Sequence, residues 1–388
     1  NMRDYEFVLA GGGMAGLSLA FHLAHSPLKE RSILIIDLEE KRSNDRTWCF
    51  WSTTPTPYHS IVHKRWSHFW IYGDEYAERI ALDPYDYRMI RGEDFYEFIH
   101  ETLRALRNIT FLKARVNELR EVGDRVEVHT SAGTYTGRWV FDSLFIPREF
   151  HVDESKHHFL KQHFVGWFIR TKRPVFDPDA ATWFDFRVPQ KGEMRFMYLL
   201  PTSETEALAE FTLFSHDLLS REEYEENIRV YLSDVLGLGE QEYEILEEED
   251  GIIPMTDMPF TRQAGKRIMR IGTKGGMVKA STGFTFHRTQ RDCRNIVLSL
   301  VEHETPFHRK EPSRAYGTMD SMLLQIMYRH GELSKPIFVR LFEKNPIDRI
   351  LRFLDEEATG MELVRIMASV RWWPFIRAWF KLKVLRKV

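Results

Sequence analysis

Near the N-terminus, Gly11-Gly12-Gly13-Met14-Ala15-Gly16 carries the spacing G-x-G-x-x-G. Glycine in the first place permits a tight turn. In the second it lets the backbone approach a pyrophosphate, and in the third it lets a helix close on a strand. The N–H groups of the helix that follows, starting at Met14 and Ala15, offer hydrogen bonds and partial positive charge to phosphate. Asp37 follows about twenty residues on, where a carboxylate can accept a hydrogen bond from a ribose hydroxyl. A second chemical possibility sits at Glu210, in Leu208-Ala209-Glu210-Phe211-Thr212. In a strand, Leu208, Glu210 and Thr212 face one way. If that face lines a dry cavity, Glu210 stays protonated at neutral pH, because ionisation without water is costly. The same pattern also describes a glutamate on a solvated strand face, and alternation alone does not choose between them.

The glycines and Asp37 need a particular frame, and the flanking residues supply it. Tyr5-Glu6-Phe7-Val8-Leu9-Ala10 is an apolar run of strand character, and residues 17–24 are apolar at helical spacing. Ser32-Ile33-Leu34-Ile35-Ile36 is a second strand that ends at Asp37. Strand, glycine turn, helix, strand and acid in this order make the dinucleotide-binding βαβ unit. Residues 39–45 are polar and turn-like; Arg46 then precedes Thr47-Trp48-Cys49-Phe50-Trp51. Arg46 suits a wall beside a bound dinucleotide, and equally a solvated loop. A strand pair is predicted around Trp66, Phe69, Trp70, Ile71 and Tyr72, a helix from Phe95 to about Leu106, a strand at 109–113, a hairpin around Gly123-Asp124, and a strand ending at Asp142.

Residues 151–250 read differently, as strands at 164–169, 181–186, 195–201 and 206–214 separated by polar turns. That pattern predicts an antiparallel sheet. A helix follows from Ser220, with Glu223 completing a capping box. The acidic run at 240–250 reads as a solvated face. A strand at 268–272 leads into a loop rich in small residues, with Gly275-Gly276 and Ser281-Thr282-Gly283-Phe284, and the chain is helical from 285 onward. The fold class expected is α/β, Rossmann-like, with an interleaved antiparallel-sheet domain and a helical C-terminus. Its spans are 1–150, 151–250, 251–305 and 306–388.

Composition narrows the functional classes. The chain has 388 residues, 43% of them hydrophobic, and a net charge of −3 that gives no reason to expect nucleic acid. Cys49 and Cys293 are too few for a disulfide framework and suit a reducing compartment. Asn1 before Met2 reads as a cloning remnant, no secretory leader is expected, and no apolar run is long enough to span a membrane. No metal site is expected. Aromatic residues make up 13%, which fits a large apolar cavity and an aromatic core equally.

Five motifs in order are together more restrictive than the glycine motif. They are Gly11 to Gly16, Asp45-Arg46-Thr47-Trp48-Cys49-Phe50, Leu200-Pro201 with Ala209-Glu210-Phe211-Thr212, Gly251-Ile252-Ile253-Pro254-Met255, and Gly275-Gly276 with Ser281-Thr282-Gly283-Phe284. Over residues 4–305 the chain resembles the flavin-containing lycopene cyclases of bacteria and plants. The resemblance implies a flavoprotein-monooxygenase-like fold and FAD, used reduced although no net redox change occurs, with NAD(P)H as reductant. The implied reaction closes the linear ends of lycopene to β-ionone rings, giving β-carotene via γ-carotene. It implies that Gly11, Gly13, Gly16 and Asp37 hold FAD, that Arg46 belongs to the loop before Thr-Trp, and that Gly275, Gly276, Thr282 and Gly283 lie along the flavin. Glu210 matches the family's acid. Several members carry a second acid directly after it, where this chain has Phe211; Asp185, among Trp183, Phe184 and Phe186, is the remaining nearby carboxylate. Trp183, Phe184, Phe186, Phe196 and Tyr198 offer aromatic faces to a cation.

Residues 371–387 hold six basic residues, no acid, and Trp372, Trp373, Phe375, Ile376, Trp379, Phe380 and Leu382. That suits a helix at a lipid interface, or a terminal helix packed on the body with a basic outer side. The first reading makes the protein cytoplasmic and peripherally membrane-associated. Two rivals remain: an FAD-dependent monooxygenase or isoprenoid reductase, which usually carries Gly-Asp where this chain has Gly272-Thr273, and a flavin-free binding protein on the nucleotide fold. The oligomeric state is not legible.

Overall fold

The computed structural model describes residues 3–39, 43–310 and 313–385. Asn1 and Met2, residues 40–42 of the polar turn, and Arg386 and Lys387 of the basic tail lie outside the described residues. The predicted unit is present as β1 (Arg3–Ala10), α1 (Met14–Ala24) and β2 (Ile33–Asp37). Then come β3 (Thr47–Ser52), β4 (Val62–Trp66), β5 (His68–Tyr72), β6 (Ala77–Ala81), β7 (Asp86–Arg91), α2 (Gly92–Arg104), β8 (Ile109–Lys113), β9 (Val116–Val122), β10 (Arg125–Thr130) and β11 (Gly133–Asp142). A seven-stranded sheet runs β8-β2-β1-β11-β10-β9, with β17 (Ile268–Arg270) also on β11. Its parallel strands are apolar runs because both faces are covered. α1, α2 and the later α4 (Phe286–His303) pack on Phe7, Leu9 and Phe141, and β10 turns Val126 and Val128 toward Val8 and Val140.

The second half supplies β12 (Phe159–Thr171), β13 (Ala180–Asp185), β14 (Met194–Pro201), β15 (Glu206–Ser215), α3 (Arg221–Asp234) and β16 (Tyr243–Thr256). α3 begins at the predicted cap: Ser220 and Glu223 form both bonds of the capping box. These strands make a seven-stranded sheet, β16-β12-β15-β14-β13-β5-β6, and a third sheet runs β3-β7-β4. The large sheet does not stop at 151 and 250. It takes in β5 and β6, whose Phe69 and Ile71 are buried against Trp183 and its neighbours, and it keeps residues 251–256 as the end of β16.

One face of this sheet carries α3 over Val165, Phe211 and Leu213. The other is covered by α5 (Arg314–Arg329), α6 (Ser334–Lys344), α7 (Ile347–Leu354), α8 (Gly360–Ser369) and α9 (Trp372–Leu385), which bury Phe338, Phe342, Ile350 and Phe375 against Trp183, Phe184 and Phe196.

Candidate active site

The two sheets meet around a cavity of about 640 Å³. Its nucleotide end lies at the C-terminal edge of β1 and β11, where connections leave the sheet in opposite directions, the usual place for a ligand in an open α/β sheet. Gly11 turns the chain with φ +115°, a region that only glycine enters freely. A Cβ on Gly16 would fall 2.1 Å from the Gly11 carbonyl oxygen, so this glycine serves close packing and does not face the cavity. Gly13 is different: a Cβ there would meet nothing within 4 Å and would stand in the mouth of the cradle at the start of α1. Met14 and Ala15 line the same wall, and Asp37 accepts a hydrogen bond from the Gly12 N–H at 2.6 Å. The buried Gln162 Oε1 and Thr289 Oγ1 on this cavity have no hydrogen-bond partner among the described residues. A cradle that a side chain would fill, free helix N–H groups and unpartnered buried polar atoms fit a dinucleotide.

The late glycine loop divides its labour. Gly283 lines the cavity, while Gly275, Gly276 and Thr282 do not. Gly276 takes φ +81° with no room for a Cβ beside the Phe260 ring, and a Cβ on Gly275 would press on the Arg270 carbonyl, so both shape the turn. Gly272, Thr273 and Val278 are the residues of this loop that reach the wall. Thr282 is buried one position away with its hydroxyl unpartnered. Arg46 lies on the cavity wall, its guanidinium against Gly251 of β16.

The opposite end is a patch of the antiparallel sheet. Tyr198, Glu210, Gly166 and Glu249 stand directly across from one another on β14, β15, β12 and β16. Directly opposed residues point to the same face, here the cavity face. Gly166 has no side chain, so Glu210 and Glu249 lean together over it and hydrogen-bond each other. Thr212 Oγ1 donates to Glu210 at 2.8 Å, and Thr47 Oγ1 donates to Glu249 at 2.7 Å. Both carboxyls are buried, at 8% and 9% exposure. Burial pushes the Glu210 carboxyl well above the ordinary range, and the Glu249 charge pushes it further. Burial also raises Glu249, but the Glu210 and Thr47 bonds and the Arg46 charge oppose the rise. Their contact thus favours the proton on Glu210 and works against a second charge on the pair. Like charges in a dry site do not both ionise.

A profile of the lycopene cyclase protein family matches residues 6–380. The chain belongs to the lycopene cyclase family. No curated protein sequence matches it. Among solved structures it is similar to a geranylgeranyl bacteriochlorophyll reductase-like protein of Thermoplasma acidophilum (12% identity, 99% of this chain and 100% of that one, TM-score 0.61). It is also similar to a variant of Klebsiella pneumoniae HpxO complexed with FAD (13% identity, 91% and 98%, TM-score 0.63) and to p-nitrophenol 4-monooxygenase of Pseudomonas putida (15% identity, 100% and 97%, TM-score 0.56). At these identities the likeness is one of fold, and the fold is that of flavoprotein monooxygenases and reductases.

In this chain, Phe211 faces α3 on the far side of the sheet, so a carboxylate at that position would not reach the cavity. Asp185 is not on the cavity either. It is fully buried toward α3, bonded to the Arg187 guanidinium at 2.6 Å and to the Tyr231 hydroxyl at 2.8 Å, because a register shift in β13 turns it away from Trp183 and Phe184. Of the five aromatics singled out, Tyr198 lines the cavity; Trp183, Phe184, Phe186 and Phe196 are core. The aromatic wall comes instead from Trp48, Tyr87, Phe164, Phe284 and Phe286. The sequence reading also missed Glu249, placed in a run read as solvated. On β16 that run alternates: Glu248 and Asp250 pair with Arg221 of α3, while Glu249 points inward. The available signal was its place two residues before Gly251, in strand phase with it.

Proposed function

We propose that this protein is a lycopene β-cyclase that holds FAD in the glycine-lined end of the cavity and delivers a proton from Glu210 to the linear end of lycopene. The observation that carries this reading is a buried carboxyl, its ionisation opposed by burial and by Glu249, on an aromatic-walled cavity continuous with a dinucleotide cradle. An alkene is a poor base, so the acid must keep its proton at neutral pH and meet the terminal double bond without competing water. The proton leaves Glu210 and forms a C–H bond at the inner carbon of the terminal double bond, and the resulting tertiary cation on the dimethyl-bearing carbon closes the ring onto a further double bond. Trp48, Tyr87, Phe164, Tyr198 and Phe284 present ring faces and keep out water that would capture the cation. Gly11, Gly13, Met14, Ala15, Asp37 and Gly283 would hold FAD, with Thr273 and Val278 beside it; reduced with NAD(P)H, FAD supplies negative charge against the cation. Substrate arrives from lipid, which the exposed face of α8 and α9 contacts. The product is β-carotene by way of γ-carotene.

The test is anaerobic incubation with lycopene in liposomes, FAD and dithionite, with products separated by chromatography. Glu210→Gln keeps the shape without the acidity, and its rate should fall by ~10²–10⁴-fold or more, with bound flavin unchanged. Near-parent ring formation in that variant would place the acid elsewhere. NADPH consumption matched by a hydroxylated or reduced product would turn the assignment to a redox enzyme.

A further inference from the structure

Cyclisation adds a proton at one carbon and removes one from another. The inner carbon of the terminal double bond gains a hydrogen, while the ring carbon that gives up its hydrogen is two bonds away in the closed ring. A single carboxyl that has just delivered its proton lies over the wrong carbon. The cavity floor offers a second carboxyl one side chain further along the same cross-strand row. Glu249 is buried and on the cavity wall, and it touches Glu210 across Gly166. The other carboxylates of the wall are engaged elsewhere: Asp37 with the Gly12 N–H, Asp250 with Arg221, and Asp45 beside Tyr96 at the nucleotide end. Thr47 holds one Glu249 oxygen at 2.7 Å, which fixes the carboxylate beside Glu210 on the cavity face.

Building on the cyclase reading, we propose that Glu249 is the base that removes the ring proton and returns it to Glu210, so that the pair runs the whole proton cycle. The balance closes without an outside donor. The Glu210 O–H bond breaks and a C–H bond forms at the inner carbon of the terminal double bond, using its π pair and leaving the tertiary cation on the dimethyl-bearing carbon. A second π pair forms the ring C–C bond. The C–H bond on the ring carbon then breaks, its electrons become the ring double bond, and the proton goes to Glu249. Transfer along the Glu249–Glu210 hydrogen bond restores the starting state. No electron is gained or lost, as an isomerisation requires. The geometry also accounts for Phe211: the second carboxyl is supplied by the edge strand β16, beyond β12, on the face that a residue at 211 cannot reach.

The experiment compares Glu249→Gln and Glu249→Asp with Glu210→Gln in the full chain. Each carries reduced FAD and is given lycopene in liposomes, and bound flavin and thermal unfolding are measured on all three. Glu249→Gln should lose about 10²-fold in rate or more, and its residual product should carry the ring double bond in a different position, because the cation then loses a proton from another neighbouring carbon. Glu249→Asp should recover part of the rate with the parent ring. Parent ring at near-parent rate in Glu249→Gln overturns the inference. So does a slower reaction that keeps the parent ring and is not recovered by Asp, which is what a purely structural carboxyl would give. If Glu210→Gln also retains activity, the cyclase reading itself has failed; if only Glu210→Gln is inactive, the loss is confined to the role of Glu249.

Discussion

The Glu210–Glu249 pair has a consequence for stability that is independent of any substrate. In the unfolded chain a glutamate titrates near its ordinary value, about 4.3. In the folded protein burial raises both, Glu210 the further because Glu249 adds its charge. Between the ordinary and the raised values the folded state holds more protons than the unfolded one, so stability falls as pH rises through that window. The favourable contribution is complete below the ordinary value and lost above the raised one. Tyr198 of β14, Cys49 of β3, Arg46 and Glu247 also act on the pair, and all remain in the Gln variant. Glu210→Gln should therefore unfold at the same temperature as the parent at pH 4 and roughly 1–3 °C higher at pH 8, judged from the unfolding entropy of a chain this long. Equal melting temperatures at both pH values would mean that the pair does not share a proton. Alternation in the sequence put Glu210 on the right face of its strand; nothing in it says which other side chain shares that face.

Among the elements, the row across β14, β15, β12 and β16 turns two distant glutamates into one group, and Gly166 is what permits it. A Cβ at 166 would lie 3.2 Å from Glu249 Cγ, 3.4 Å from Glu210 Cβ and 2.9 Å from a Leu208 methyl. Alanine needs only small movements of flexible side chains. Valine suits a strand but would stand between the carboxyls. Gly166→Val should cut ring formation by at least ~10-fold while flavin content stays at the parent level, with Gly166→Ala in between; full activity in the valine variant would show that carboxyl contact is dispensable. The same element explains what was hard to read. β1, α1 and β2 were legible because each is set by local apolar spacing and by glycines with local duties. The acidic run before Gly251 was not. It forms an edge strand with one face toward Arg221 and one toward the cavity, and its composition averages the two. Asp185 failed for a related reason: the register shift in β13 that turns it toward Tyr231 leaves no mark in the residue types.

At the scale of the whole molecule, helices α5–α9 cover one face of the antiparallel sheet, and their outer surface is unusual. The two readings of the C-terminal segment turn out to describe opposite faces of α9. Phe375, Ala378 and Leu382 are buried in the core shared with α5–α8, whereas Trp372, Trp373 and Phe380 are 57%, 60% and 59% exposed. Met361 and Val364 on α8 are exposed as well, and Arg371, Arg377 and Lys381 stand among the α9 aromatics. Among the described residues no helix is long and apolar enough to cross a membrane. Aromatic rings with interspersed cations suit the headgroup region of a bilayer bearing anionic lipid. On the proposed cyclase reading, a water-insoluble polyene has to be taken from lipid, and this face would bring the protein to it. Removing α9 would uncover the core, so the informative change is confined to its outer face. Trp372→Ser, Trp373→Ser and Phe380→Ser together should leave melting temperature and flavin content close to the parent. Sedimentation with vesicles containing phosphatidylglycerol should fall several-fold, and turnover of lycopene embedded in the same vesicles should fall with it. Unchanged sedimentation would assign the aromatic face another occupant, and turnover lost without loss of sedimentation would mean that substrate enters elsewhere.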